Sequence, residues 1–556
     1  MSINPSALSR RSFVAGSVLT AASVAATAQM PVMAKADEPV APSASWLGEA
    51  PEVGEPVQTV EADVVVVGAG TGGWFASCSA AEEGVKVVLL EKTEGGANVR
   101  GDLGAVNSRY QLEDGCAIDE QGILFDLYRF SNGNSSYALH RTWYQNSGAT
   151  VDWYGDRLAE HGVELWHELA TENDERKPLV AHWPVGHSPA FPKDENGMDA
   201  LSGKDVLEPY FTGLGGEVLY NTAMVKLAMD GDRVSGVWAA NAEGETVLVN
   251  AAKGVIVATG GYGKNTAMLE ALQPETLGYY SLNIARPGCT GDGIKACLWA
   301  GAAMDGTHSS MLFDRCALPV DALAGAATEG GMFFNMGSHP WLKVNLAGER
   351  FANEGSGVYD WMLHAGASQP DGTYCTIFDA DWAVQAEQMD MHGCARMYPY
   401  ENGAPANETV ESIGGQIASL IEAGYIQEAQ SFEGLAQKLG LPAEAFCATV
   451  ERYNELAVAR LDEDFGKEAF RMIPLATPPF YGVRNTGVFL CTMDGIRIDT
   501  EARALCADGT PIEGLFVVGN DSGNYFDRSY PNTLTGGAAG RTITFGRIAG
   551  KAAAAR

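Results

Sequence analysis

Basic side chains are scarce in this sequence: 37 Lys and Arg stand against 70 Asp and Glu, a formal charge of −33. A surface of that sign repels nucleic acid and anionic lipid alike, so neither is expected as a partner. The ten cysteines include no CxxC pair and no CxxCH, which leaves haem and iron–sulfur ligation unsignalled. Long apolar runs are missing too. The most apolar early stretch, Val14 to Ala28, is too short and too rich in alanine to span a bilayer, so no integral membrane segment is expected. A hydrophobic content of 46% over 556 residues is ordinary for a globular chain and enough for two or three cored domains.

The N-terminus reads as an address. Ser9-Arg10-Arg11-Ser12-Phe13 precedes the Ala-rich stretch, which closes on the small-x-small site Ala26-Thr27-Ala28, with a second at Ala34-Lys35-Ala36. Paired arginines with these flanks resemble a twin-arginine export signal, assigned to 1–36, and a Pro-, Glu- and Ser-rich linker follows over 37–60. That pathway carries proteins already folded, so export by it favours a chain loaded with a cofactor beforehand.

The seat of such a cofactor comes next. Ala62-Asp63-Val64-Val65-Val66-Val67 is a β-branched run of the kind buried on both faces of a sheet. It leads into Gly68-Ala69-Gly70-Thr71-Gly72-Gly73, a helix of small residues, a second strand over 85–90 and the acid Glu91. This is the dinucleotide fingerprint in its proper setting: glycines for the tight turn, a helix N-terminus for the pyrophosphate, an acid for the ribose hydroxyls. It leaves NAD and FAD open. No second such motif follows a β run, whereas Gly254 to Gly261 and Gly514 to Asn520 repeat the strand-then-glycine pattern, as for one FAD threaded through one large fold.

The stretches "VVVVGAGTGG", "EKTEGGANVRGDLGAVNS", "ATGGYG", "TGDGIKACLWAGA", "VNLAGERFANE", "TPPFYGV", "GLFVVGN" and "TFGRIAG" occur in this order. Together they resemble the fumarate reductase flavoprotein family, which includes urocanate reductases and 3-ketosteroid dehydrogenases. The resemblance implies an α/β fold: a Rossmann-like FAD-binding domain over 61–305 and 481–556, with an α+β capping domain inserted over 306–480. It also implies cofactor contacts. Gly68, Gly70, Thr71, Gly72 and Gly73 would lie at the pyrophosphate, Glu91 and Lys92 at the adenosine ribose, and Gly96, Ala97, Asn98, Gly104 and Ala105 along the ribityl chain and ring. Met224 would meet the adenine through its backbone, with Thr259, Gly260 and Asp292 nearby, and Asn520 would replace an acid at the ribityl hydroxyls. Ala538 and Ala539 would begin the last helix beside the flavin N1/C2=O edge, where a helix end contributes about 0.3–1 kcal/mol to an exposed anion and up to about 2 when partly buried. Ser147-Gly148-Ala149-Thr150 is similar to the end of a covalent flavin-attachment motif, but Tyr144 stands where that motif has Asp, so attachment is not expected.

The same resemblance bears on substrate. Fumarate and urocanate reductases place a carboxylate-clamping Arg after the Asn aligned with Asn532, and a His in an "HTMGG" segment; here Thr533 and Cys491 stand at those positions. Without the bidentate clamp a small dicarboxylate is a poor substrate. Tyr530 and Tyr359 resemble the catalytic tyrosines of the ketosteroid branch, and Arg350 aligns with the proton-donating arginine of the reductase branch. His308 and His339 are possible substrate contacts or structural residues. The expectation is an exported, extracytoplasmic FAD-dependent oxidoreductase acting on CH–CH groups. Hydride from flavin N5 would reduce an enoate or enone, with Arg350 or Tyr530 supplying the proton; the alternative is desaturation of a 3-ketosteroid, with Tyr359 as base. Lacking haem, cluster and NAD domain, the chain implies an external electron donor, a membrane-associated cytochrome or flavoprotein.

Overall fold

The computed structural model describes residues 46–169, 179–180, 182–195, 198–327, 330–356, 359–406 and 408–556. The export segment and the linker as far as residue 45 lie outside them. An eight-stranded sheet carries the first domain. Its path runs Arg503–Leu505, Pro511–Val517, Thr246–Val257, Gln58–Val67, Val87–Leu90 and Glu217–Leu219, and the antiparallel pair Ala223–Asp230 and Arg233–Ala240 joins on the Thr246–Val257 strand. The Val64 to Val67 run lies at its centre, fully or almost fully buried, because strands pair with it on both sides. Val67 pairs with Val257, and Val257 with Val517, all parallel. Three glycine turns thus leave one edge of the sheet side by side, at the carboxyl ends of parallel strands, where open α/β sheets bind ligands.

The last helix, Gly537–Ala554, packs on the first, Thr71–Glu82. Gly546 and Gly550 face it, and small side chains are required there: a Cβ on Gly550 would strike the Ala76 carbonyl and come within 2.8 Å of the Ser79 Cβ. Gly550→Val is therefore expected to destabilise the domain by about 1–3 kcal/mol through overpacking, measured as a fall in unfolding temperature.

A seven-stranded sheet builds the cap. Its spine is the long strand Phe480–Thr492, which pairs with Tyr280–Asn283, Ser310–Leu318, Tyr374–Asp379 and Ile426–Ala429. Helices Val410–Glu422, Phe432–Leu439 and Ala443–Ala459 bury their apolar stripes in two clusters against it, one around Trp341 and Phe378, the other around Leu435 and Phe446. A small sheet of Leu103–Gly104, Gly186–Ala190 and Glu164–His167 stands beside the start of the last helix. The architecture is an α/β domain with an α+β cap inserted into it. Strands at 280–283 and 480–492 belong to the cap sheet, so the cap hangs on strands at both of its margins.

Candidate active site

One cavity of about 640 Å³ runs along the sheet edge. At one end its wall is Glu91, Lys92, Thr222 and Met224; Gly70, Thr71 and Gly72 follow, then Thr259, Gly260 and Asn520, and the far end is closed by Met311, Phe313, Cys394, Leu490, Cys491, Tyr530, Asn532 and Leu534. Local sequence explains the first part. Gly68 takes φ +102°, and a Cβ on Gly73 would strike the Gly68 carbonyl, so only glycine allows this turn-to-helix passage. Gly70 caps the first helix without a side-chain bond, and the amides of Thr71, Gly72 and Gly73 make no hydrogen bond among the described residues, which suits a phosphate. Glu91 sits at the next strand end, buried, its Oε2 accepting from the Ala69 amide and Oε1 from the Thr93 amide and hydroxyl. The carboxylate thus pins the glycine turn while facing the cavity. Lys92 donates to Thr290 and Asp292, both at 2.7 Å, at the mouth.

The far end depends on the last helix. Gly536, in the left-handed region at φ +67°, caps it without a side-chain bond. Ala538 and Ala539 line the cavity. The Ala538 amide donates to the Tyr530 hydroxyl at 3.2 Å, and the Ala539 amide makes no hydrogen bond among the described residues. Tyr530 is held edge-on by Phe526. Both polar atoms of the Asn532 side chain are buried without a partner, as is the Thr533 hydroxyl. Orphaned polar atoms on a cavity wall, two uncapped helix starts and a glycine cradle fit a dinucleotide-bearing flavin.

Several expected residues do not reach the wall. Gly73 lies beneath the turn. Gly104 acts through packing, its amide donating to the Gly536 carbonyl and its missing Cβ leaving room for the Thr535 to Gly537 backbone. Ala105 is buried, with its amide on the Val185 carbonyl. Asn98 faces solvent and accepts from the Lys204 amide. Arg350 is absent from the cavity wall as well. Its guanidinium lies within the cap, forked onto Glu354 (2.8 and 2.7 Å) and Asp462 (2.9 and 2.8 Å). Tyr359 opens helix Tyr359–Ala367, and its side chain lies outside the described residues. His308 bonds to the buried Asp494, and His339 is buried against Trp341 with its pKa pushed down to about 3 by burial and the nearby Arg315 and Lys343; neither lines the cavity. Ser147 is buried within helix Tyr137–Ala159, accepting from the Val106 amide.

Other residues here were not singled out from the sequence. Asp521 follows Asn520 directly, and its buried carboxylate accepts from the Thr259 amide and hydroxyl and from the amides of Gly260 and Gly261. It locks two of the three glycine turns together. The adjacent acid was the available signal. Arg541 is buried among aromatic rings of Tyr525 and Phe526 and donates to the carbonyls of Gly519 and Ser522, fixing the third turn to the last helix. The apolar far wall of Met311, Phe313 and Leu490 comes from cap strands and carries no local signature.

The chain belongs to the FAD binding domain family, whose model matches residues 63–533. It is a flavoprotein oxidoreductase. It is 29% identical over 504 residues to a vinyl phenol reductase of Lactiplantibacillus plantarum, covering 88% of this chain and 96% of the relative. It is 28% identical over 498 residues to an NADH:fumarate oxidoreductase of Klebsiella pneumoniae, covering 89% of this chain and only 48% of that one. The fold is similar to the crystal structure of a 3-ketosteroid delta1-dehydrogenase from Sterolibacterium denitrificans in complex with 1,4-androstadiene-3,17-dione, with a TM-score of 0.68, 20% identity and coverage of 89% and 99%. The ordered motifs of this flavoprotein family and the FAD cofactor expected from them therefore hold.

Proposed function

We propose that this flavoprotein reduces an activated carbon–carbon double bond, of an enoate or enone or an alkene conjugated to an aromatic ring, and does not act on fumarate. The observation that carries this reading is the far wall of the cavity, which Met311, Phe313, Leu490 and Leu534 line together with the Tyr530 phenol. Thr533, which stands at the position where the resemblance would put the clamping arginine, is buried. A largely apolar wall in which Tyr530, Asn532, Arg100 and Asp102 are among the polar groups suits a conjugated substrate with a single polar end. The vinyl phenol reductase, whose length the chain almost fully spans, acts on a substrate of that kind and supports the reading.

FAD, when bound, supplies two-electron hydride chemistry. The chain's own residues do the rest. The three turns, fixed by Glu91, Asp521 and Arg541, would hold the cofactor. Tyr530, accepting the Ala538 amide proton, becomes a stronger donor through its own O–H, because hydrogen bonds in a chain polarise one another. That donor is suited to polarising a substrate carbonyl or phenol. Cap residues Met311, Phe313 and Leu490 supply the apolar cover at the far end. We also propose that the chain works outside the cytoplasm and takes electrons from a separate carrier; the −33 charge suits a basic one.

Rapid mixing of dithionite-reduced protein with alkenes tests this directly. Cinnamate-type enoates, enones and vinyl phenols are expected to reoxidise it well ahead of fumarate. Fumarate reacting as fast as the best aromatic alkene would reverse the assignment. Desaturation of a ketosteroid draws on the same phenol and apolar wall, and bleaching of oxidised protein by a saturated 3-ketosteroid would favour it instead.

A further inference from the structure

With Arg350 tied into the cap's ion pairs, the proton that completes alkene reduction needs another source. Among the described residues, the side chains with exchangeable protons on the far part of the cavity wall include Tyr530, Cys394, Cys491, Arg100 and Asp102, together with the amide of Asn532 and the hydroxyl of Thr535, which are far weaker acids than a carboxyl. Burial raises both thiols, Cys491 to about 11 and Cys394 to about 12. An arginine is a poor acid. Asp102 differs in chemistry and in place. Its backbone carbonyl abuts Gly536, the cap of the last helix, and its carboxylate accepts from Ser188 Oγ at 2.9 Å (Oδ1) and from the Cys394 thiol at 3.4 Å (Oδ2).

Behind Asp102 lies a second cavity of about 20 Å³, room for one water. Its wall is mixed: Glu168, Ser188, His167, Tyr400, Arg396 and Thr535 stand beside Trp166 and the Ala404 to Ala406 stretch, and Asp102 and Thr535 are the residues it shares with the large cavity. Asp102 thus stands in the partition between the far end and a water-sized chamber. Burial raises its pKa; Ser188 and Cys394 pull the other way, Glu168 adds to the rise and Arg100 opposes it. A carboxyl so placed is suited to carrying a proton nearer neutrality than a free aspartate does.

Resting on the reading of the protein as an alkene reductase, we propose that Asp102 is the proton donor of the reaction, recharged through the chamber behind it. A hydride from the flavin, once that is reduced by the external carrier, would add to one alkene carbon and leave oxidised FAD. The electron pair of the π bond takes the proton from the Asp102 carboxyl at the other carbon: the O–H bond breaks, the C–H bond forms, and a carboxylate remains. Water in the chamber, in exchange with bulk solvent, returns one proton to it. The two electrons come from the separate carrier by way of the flavin, and the alkene is the oxidant.

The test uses the FAD-loaded full chain and two near-isosteric variants. Asp102→Asn is expected to slow alkene reduction by roughly 10²–10⁴-fold, with the flavin spectrum and the affinity for a saturated, unreactive product analogue kept, and Asp102→Glu to recover part of the rate. Separately, pH-difference infrared spectra should show a protonated-carboxyl band near neutral pH that shifts in D₂O and is missing from Asp102→Asn. An unchanged rate in Asp102→Asn, a loss confined to flavin or analogue binding, or a wild-type protein without that band overturns the proposal. If no alkene reoxidises the wild-type protein, the reductase reading fails and with it the donor role, while the infrared band still reports whether Asp102 holds a proton.

Discussion

Tyr530→Phe is expected to cut the rate of alkene reduction by roughly 10²–10³-fold, the usual cost of losing one donor at a developing oxyanion. The phenol lines the far end of the cavity, is edge-packed by Phe526 and accepts the Ala538 amide. The substitution removes a hydroxyl and leaves ring packing intact, so folding and flavin content should change little. Single-turnover reoxidation separates the contributions: a fall in the limiting rate with unchanged substrate affinity marks a group that acts as the bond changes. An affinity loss at unchanged rate would make Tyr530 a plain binding contact. A phenylalanine variant as fast as wild type would remove the phenol from the chemistry.

Arg350→Ala is expected to act on the cap's stability. Arg350, Glu354 and Asp462 have side chains 6%, 0% and 0% exposed, and Lys467 Nζ stands 3.6 Å from Glu354. Removing the arginine leaves Glu354 with Lys467 as its ion-pair partner and Asp462 with backbone amides alone, and breaking a buried pair costs up to about 3–5 kcal/mol. Arg350→Lys should recover little, since an ammonium cannot reproduce the two-sided fork. Urea unfolding followed by tryptophan fluorescence reads the loss. A variant of wild-type stability with a rate reduced a thousandfold would instead place the guanidinium at the reacting bond. The pair also sets an acid limit. Burial works to raise the Asp462 carboxyl, but the Arg350 hydrogen bonds and the Lys467 amide bring it down to about 2. A folded-state pKa below the ordinary value of about 3.9 contributes stability that is complete above that value and lost as pH falls towards 2, so wild type should lose this contribution between those limits and Arg350→Ala, which keeps only the backbone amides on Asp462, should lose less.

Sequence and tertiary structure divide this molecule along a physical line. The glycine-rich turn, its strands, Glu91, the repeated strand-end glycines and the last helix were legible because their constraints are local: a β-branched run must be buried, a turn with positive φ demands glycine, and a helix start needs a cap or a ligand. Gly104 and Ala105 were legible as important but not in role, since whether a small residue meets a cofactor or a neighbouring backbone depends on what packs against it. Arg350 shows the limit most clearly. Its motif is local, yet the direction of its side chain is set by Asp462, 112 residues further on. Asp102 meets Cys394 across 292 residues, and the Glu168 carboxylate joins Thr535 to Tyr400. The sequence by itself determined the cofactor's cradle, because backbone conformation writes itself into residue type. Which side chains face the reacting end was decided only when the cap strands closed over it, because Coulombic and hydrogen-bond partners are chosen by distance in space, and along the chain these partners lie hundreds of residues apart.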